Sequence, residues 1–362
     1  MQEVSTISEQ SVLVDAIEQM CAGKKVGFRP VRTAGDIMNQ DVKTLTLDHT
    51  VKAFLNFMNA HKVRHAPVID YTDEAKKKPF FIGVVSERDV LRLKPKRITD
   101  EDDEAINPKA VRQLLQQIVA RNPWSTSPDT TVPDVIRIMI DNHIDMLPVL
   151  ANGKLTGIIT TTDILKVFRT LDAAIEGLYP ELKEQTAPLV PGPFTAIAES
   201  SLFSWVFQSA GDIMTREVVC LESTNTLADA IDTMKKGEFR HLPILDENAK
   251  LAGIISDRDI LRQLPFAGRR PPSQSTKFRD HLFRVDDETP QLLLGVAEFM
   301  TRKVTSVSPD YRICEAAKKL LRMKISCLPV VDRQQNILGI ITVADLLRAL
   351  LPAYEPTGQS QP

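Results

Sequence analysis

GVVSERD at residues 83–89, GIITTTD at 157–163, GIISDRD at 253–259 and GIITVAD at 339–345 are one string written four times: Gly, two β-branched residues, Ser or Thr, two variable residues, Asp. Each follows a proline in an apolar run: Pro67 in RHAPVI, Pro148 in DMLPVL, Pro243 in RHLPIL and Pro329 in SCLPVV. A fixed order repeated along the chain marks copies of one supersecondary unit.

Spacing extends the unit backwards. Positions 16, 12, 9 and 4 residues before each proline are Val51, Leu55, Met58 and Val63; Val132, Ile136, Met139 and Ile144; Leu227, Ile231, Met234 and Phe239; Ile313, Ala317, Leu320 and Ile325. All are apolar. The first three of each set fall on one face of a helix, and the fourth is expected to begin the strand that enters the proline. Twenty-nine residues before the proline stand Met38, Met214 and Met300, within DIM, DIM and EFM, with Val119 in the remaining copy. After the proline comes a hairpin, with turn chemistry such as Asn152-Gly153, and the Asp then opens an amphipathic helix. In the first copy the hairpin carries extra residues, TDEAKKKPF (72–80), expected to form a solvated loop. The unit is therefore β-α-β-β-α, an α/β (α+β) fold.

With 43% hydrophobic and 25% charged residues and a formal net charge of -2, the chain has the composition of ordinary globular domains. No global field attracts nucleic acid or acidic lipid, so any anion site must be local. Its 362 residues are enough for roughly two to three domains. Four scattered cysteines, Cys21, Cys220, Cys314 and Cys327, suggest neither a zinc knuckle nor a disulfide framework, and a reducing cytoplasm is the expected compartment. The N-terminus lacks the pattern of a signal peptide, and no stretch approaches ~18 apolar residues, so no membrane span is expected.

The [I/F]-M at the start, the proline-bearing apolar strand and G-h-h-[ST]-x-x-D together resemble CBS domains. The resemblance covers about 34 to 93, 114 to 168, 210 to 264 and 296 to 350, and implies four CBS units arranged as two CBS pairs, or Bateman modules. An N-terminal extension (1–33) with a helix, an inter-module linker (169–209) with helical segments, and a disordered tail (351–362) are expected around them. Copies one and three share AGDIM at their start, an Arg-His pair before the proline and Arg before the final Asp; copies two and four have neither Arg. The pattern A-B-A′-B′ points to duplication of a whole pair.

Ser86 with Asp89, Thr160 with Asp163, Ser256 with Asp259 and Thr342 with Asp345 have two readings. One is a capping box, in which the hydroxyl caps a helix and the acid returns a bond. The other is a ligand site: the resemblance implies Ser or Thr and Asp contacting ribose or phosphate in the cleft between paired units. Arg88 and Arg258 oppose the helix dipole by about 0.3 to 1 kcal/mol unless an anion lies nearby. They either extend into water or grip phosphate. In Arg64-His65 and Arg240-His241, strand alternation points the two members of each pair to opposite sides. His65 and His241 are then core histidines or phosphate donors. In the B copies Asp145-Met146 and Ser326-Cys327 replace those pairs, and Asn122-Pro123 interrupts the first strand of copy two, so one or two occupied sites are expected.

The expected function is a non-catalytic regulatory protein with an adenine nucleotide (AMP, ADP or ATP) as ligand and no catalytic cofactor. The repeats consume nearly all of the chain, and no P-loop, zinc-protease helix or nucleophile elbow appears in it. A structural interaction module with empty clefts is the alternative, as is a regulatory subunit of a separate enzyme or transporter. CBS pairs commonly associate, so the two modules are expected to pair within the chain or with a second copy as a homodimer. FSWVFQ (203–208), with Phe194, and SVLVDAIEQM (11–20) each read as a covering helix or a docking segment.

Overall fold

The structure, a computed structural model, describes residues 13–71, 79–86, 89, 115–178, 208–263 and 294–354. Arg88, Phe194, residues 203–207 of FSWVFQ and residues 72–78 of the first hairpin lie outside the described residues.

Helices α1 (Leu13–Lys24) and α2 (Ala34–Ile37) lead into repeat one: β1 (Leu45–Thr46), α3 (Val51–His61), β2 (His65–Tyr71) and β3 (Pro79–Ser86). Repeat two opens with a short 3-10 turn (Leu115–Gln117) and β4 (Ala120–Arg121), then α4 (Val132–Asp141), β5 (Met146–Ala151), β6 (Lys154–Thr160) and α5 (Thr161–Leu178). Repeat three has α6 (Ala210–Ile213), β7 (Leu221–Glu222), α7 (Leu227–Gly237), β8 (His241–Leu245), β9 (Leu251–Ser256) and α8 (Asp257–Gln263). Repeat four has a 3-10 turn (Val296–Glu298), α9 (Ile313–Met323), β10 (Cys327–Val331), β11 (Ile337–Thr342) and α10 (Val343–Leu350). This is the expected α+β repeat.

Four of these helices carry the apolar stripe the sequence places on a helix, and each begins at its first member, the residue 16 before the proline. Thr50, Thr131 and Thr226 cap three of them, each hydroxyl accepting the amide proton of the residue three further on. The stripe is buried in every copy, with Ile231 the one member only partly so, and each such side chain contributes about 1.5–3 kcal/mol. The expected strand start is corrected. Val63, Ile144, Phe239 and Ile325 lie two residues before the strand, because Lys62, His143, Glu238 and Lys324 take left-handed conformations (φ 51° to 55°) that end the helix and turn the chain first. Two further expectations change. Pro79 and Phe80 belong to β3 rather than to the solvated loop, and Leu351–Tyr354 form a 3-10 turn with Ala353 buried rather than a disordered tail; residues 355–362 lie outside the described residues.

Antiparallel hairpins run β2·β3, β5·β6, β8·β9 and β10·β11, and each pairs its proline with the residue after the string's Gly: Pro67 with Val84, Pro148 with Ile158, Pro243 with Ile254, Pro329 with Ile340. Asn152 and Gly153, both at positive φ (50° and 72°), make the tight turn of the second hairpin. The repeats of a pair exchange their first segments. Met38 lies against Gly157 of repeat two, and Val119-Ala120 lies against Gly83 of repeat one. Met300 and Met214 do the same at Gly253 and Gly339. A Cβ on Gly157, Gly253 or Gly339 would meet the methionine sulfur at 2.7, 2.2 or 2.5 Å, which explains Gly and Met together. Backbone bonds seal each exchange, as between Asn39 and Ile158 (2.8 and 3.0 Å) and between Thr215 and Ile340 (3.0 and 2.9 Å).

Repeats two and four share one core. Phe168, Leu171 and Ile175 of α5 lie in the same buried cluster as Ala316, Ala317 and Leu320 of α9 and Leu346, Leu347 and Leu350 of α10. Val14, Ile17 and Cys21 place α1 on that cluster, the covering role read for SVLVDAIEQM. Repeats one and three keep smaller, separate cores, centred on Phe54 and Leu242 and each closed by the opening turn of the next repeat, Leu115 or Val296. Where α5 crosses α9, buried Asp172 meets Arg312 (3.4 Å) and Lys318, which also reaches Glu176 (3.4 Å) and Glu315 (2.9 Å). Burial opposes the Lys318 charge, but its bonds to Asp172 and Glu315 prevail and raise its pKa.

Candidate functional site

Hairpin register brings the two sequence motifs of each repeat together. His65 faces Ser86, Met146 faces Thr160, His241 faces Ser256 and Cys327 faces Thr342, at the end of the hairpin where the following helix begins. The backbone tightens the corner: the amides of Thr161, Asp257 and Val343 donate to the carbonyls of Asp145, Arg240 and Ser326 at 3.0, 3.1 and 3.1 Å.

In all four Ser/Thr-Asp pairs the acid returns a bond, and in copies three and four the hydroxyl also accepts the Asp amide proton, Asp259 to Ser256 Oγ at 3.3 Å and Asp345 to Thr342 Oγ1 at 3.4 Å. Each hydroxyl donates to the Asp Oδ2 at 2.6 or 2.7 Å, and each Ser or Thr amide donates to the same oxygen at 2.8 to 3.0 Å. Asp89, Asp163, Asp259 and Asp345 thus each commit Oδ2 to the fold. In the B copies Oδ1 is engaged as well, by Lys166 Nζ on Asp163 (2.7 Å) and Arg348 Nη1 on Asp345 (3.4 Å).

Polar residues from all four repeats meet between the modules. Arg64 Nη2 of repeat one donates to Ser326 Oγ of repeat four at 3.3 Å, and Ser326 Oγ lies 2.9 Å from His241 Nε2 of repeat three. Arg240 of repeat three forms an ion pair with Asp145 of repeat two, their side chains about a fifth exposed. Burial pushes His241 down to about 4; the Asp257 carboxylate opposes this, and the Arg64, Arg240 and Arg258 guanidiniums reinforce it. The imidazole is therefore neutral at pH 7, able to accept the Ser326 hydroxyl proton while Ser326 accepts from Arg64. His241 is half-buried and set among cations.

Three guanidiniums lie near the His241 imidazole and the Ser326 hydroxyl, with the Asp145 and Asp257 carboxylates among them, and guanidinium groups favour an anion with several acceptor oxygens. Of the sequence candidates, Arg64, Arg240, His241 and Arg258 converge here. His65, Ser86 and Asp89 gather at the equivalent corner of repeat one, and Ser256 and Asp259 flank Asp257 and Arg258 in repeat three. Sequence reading missed three participants. Asp257 occupied a variable place in the string, and Asp145 and Ser326 registered only as absent arginines.

Cys327, beside this centre, is pushed up to about 12 by burial despite Arg64, so its thiol stays protonated. Among the described residues, Asp172, Glu176 and Glu315 are the grouping close enough to hold a metal, and Lys318 bonds to all three. Among them too, no helix is long and apolar enough to cross a membrane.

Four α+β repeats, joined as two pairs by exchanged first segments and meeting at a polar centre, define a tandem-repeat protein of two modules. The CBS domain family profile matches residues 34–96, 115–170, 210–265 and 296–352, well over half of the chain, and the chain belongs to that family. The uncharacterized protein MJ1426 of Methanocaldococcus jannaschii is 32% identical over 154 residues, which cover 39% of this chain and 89% of that protein. Protein MJ1225 of the same organism is 27% identical over 237 residues, 64% of this chain and 69% of its own. Its crystal structure covers 88% of this chain and 99% of that one with a TM-score of 0.63 at 20% identity, a likeness of fold. CBSX2, a chloroplastic CBS domain-containing protein of Arabidopsis thaliana, is 28% identical over 162 residues, 42% of this chain and 67% of its own.

Proposed function

We propose that this chain is a non-catalytic sensor that binds an adenosine nucleotide (AMP, ADP or ATP) in the clefts of its CBS pairs and signals by rearranging its modules. The observation that carries the reading is the convergence of Arg64, Arg240, Arg258 and His241 with Ser326 between the modules. Arg64 is held there by a neutral hydroxyl and Arg240 by a carboxylate of the opposite module, and phosphate oxygens match the fork geometry of arginine. Adenosine as the remainder of the ligand rests on membership of the CBS family. In the clefts, Ser86, Asp89, Ser256 and Asp259 stand beside the Arg-bearing strands, with Arg88 on the same string. The A copies are assigned the stronger contacts because Arg88 and Arg258 stand before their Asp where the B copies have Thr162 and Ala344, with Thr160, Asp163, Thr342 and Asp345 as the B-copy candidates.

Signalling follows from the same contacts, since an anion that draws on Arg64 or Arg240 competes with bonds that join one module to the other. Coupling of this kind is typically worth ~1–3 kcal/mol, and the recipient of the signal is a separate protein. Isothermal titration with AMP, ADP and ATP tests the reading, alongside mass spectrometry of small molecules released on denaturation. Binding that is weakened in Arg64→Ala and His241→Ala supports it. Absence of heat and of co-purified nucleotide sinks it in favour of an interaction module with empty clefts.

A further inference from the structure

The two diagonals across the module interface are built alike but charged differently. Arg64 of repeat one reaches repeat four and finds the hydroxyl of Ser326; Arg240 of repeat three reaches repeat two and finds the carboxylate of Asp145. Arg64 and Arg240 occupy equivalent places, three residues before Pro67 and Pro243, and so do Asp145 and Ser326 before Pro148 and Pro329. Pseudo-two-fold symmetry therefore sets an arginine opposite a short polar residue twice, and one of the two is an acid.

We infer that Asp145 is a built-in competitor for the ligand's phosphate, an internal anion that occupies Arg240 until a nucleotide displaces it. The inference rests on the nucleotide reading above. A carboxylate and a phosphate seek the same bidentate face of a guanidinium. A phosphate approaching Arg240 must take the place of Asp145 and then tolerate its negative charge nearby, whereas one approaching Arg64 displaces a neutral hydroxyl. The Arg64 diagonal is thus the open seat and the Arg240 diagonal the restrained one, and the restraint grows with the charge of the ligand. Because the Arg240–Asp145 pair joins repeat three to repeat two, filling the restrained seat also undoes a bond between modules. Occupancy of that seat, more than of the other, is what changes module arrangement.

The test is titration of the full chain with ATP, AMP and inorganic tripolyphosphate, comparing wild type with Asp145→Asn, Asp145→Ser and Ser326→Asp. Asp145→Ser copies the residue at the equivalent place in repeat four and carries the comparison if the amide variant folds poorly. The expected result is about five- to tenfold tighter binding of ATP and tripolyphosphate on removing Asp145, with a smaller gain for AMP. Ser326→Asp, which installs a second competitor, should weaken ATP binding by a similar factor. Wild-type binding of nucleotide with no gain on removing Asp145 overturns the competitor and leaves the nucleotide reading standing. If no variant binds ATP or tripolyphosphate, both fall. An equal gain for AMP and ATP also overturns the inference, since charge competition predicts a graded one.

Discussion

The A and B repeats share one fold plan and divide its tasks. Repeats two and four bury α5, α9 and α10 together in a single apolar core, while repeats one and three keep separate cores. The position four residues before the proline shows the contrast at one place: Ile144 and Ile325 pack on the shared core, but Val63 and Phe239 are 37% and 40% exposed. At the polar centre the roles reverse, with the A copies supplying Arg64, Arg240, His241 and Arg258 and the B copies supplying acceptors. Joining modules and presenting cations place opposite demands on a surface, and duplication of a pair lets each member specialise.

The contrast breaks most visibly in the shared core. Phe168→Ala should cost about 3–5 kcal/mol and speed hydrogen exchange in α9 as well as α5, because Phe168 belongs to both modules' core. Phe54→Ala should cost as much in repeat one while leaving α9 protected. Comparable loss of protection in α9 from both variants would show that the cores are not separate.

Next in size is the exchange of first segments. A Cβ on Gly83 would sit 2.1 Å from the Ala120 carbonyl oxygen, which is backbone, whereas on Gly157 it meets the movable end of Met38. Gly83→Ala should therefore destabilise by about 1–3 kcal/mol and Gly157→Ala by less. Thermal denaturation checks the order, and the reverse order would refute the exchange geometry.

The smallest effect concerns pH. Folding lowers the His241 pKa from 6.5 to about 4, so between those values the unfolded chain binds a proton that the folded chain does not. His241 therefore leaves stability unchanged above about pH 6.5, and stability is lost as pH falls towards 4, by about 1.4 kcal/mol at roughly pH 5.5. His241→Gln should flatten that part of the profile relative to wild type in chemical denaturation at several pH values. Parallel profiles would show that the histidine titrates alike in both states.

Much of this was legible in the sequence. The helical stripe of α3, α4, α7 and α9 follows from counting back from each proline, because apolar periodicity is a local signal, as is the threonine cap that three of the four carry. The strand start was misplaced by two residues because Lys62, His143, Glu238 and Lys324 carry side chains that do not announce a left-handed conformation. The bond within each of the four Ser/Thr-Asp pairs was readable from a spacing of three. The meeting of Arg64 with Ser326, 262 positions away, was not. In sequence Asp145 reads only as a replaced arginine, since ion pairs between modules leave no periodicity.

The exchanged first segments also set an order of assembly during synthesis. Repeat one lacks the last strand of its sheet until Ala120-Arg121 has been made, and the core that α5 belongs to remains unfinished until α9 and α10 follow. A nascent chain that stalls before Ile313 leaves the side of that core that meets α9 and α10 uncovered, an apolar flag for chaperones and proteases. Interlocking thus makes the protein its own completeness check, in which no early repeat is safe before its later partners emerge.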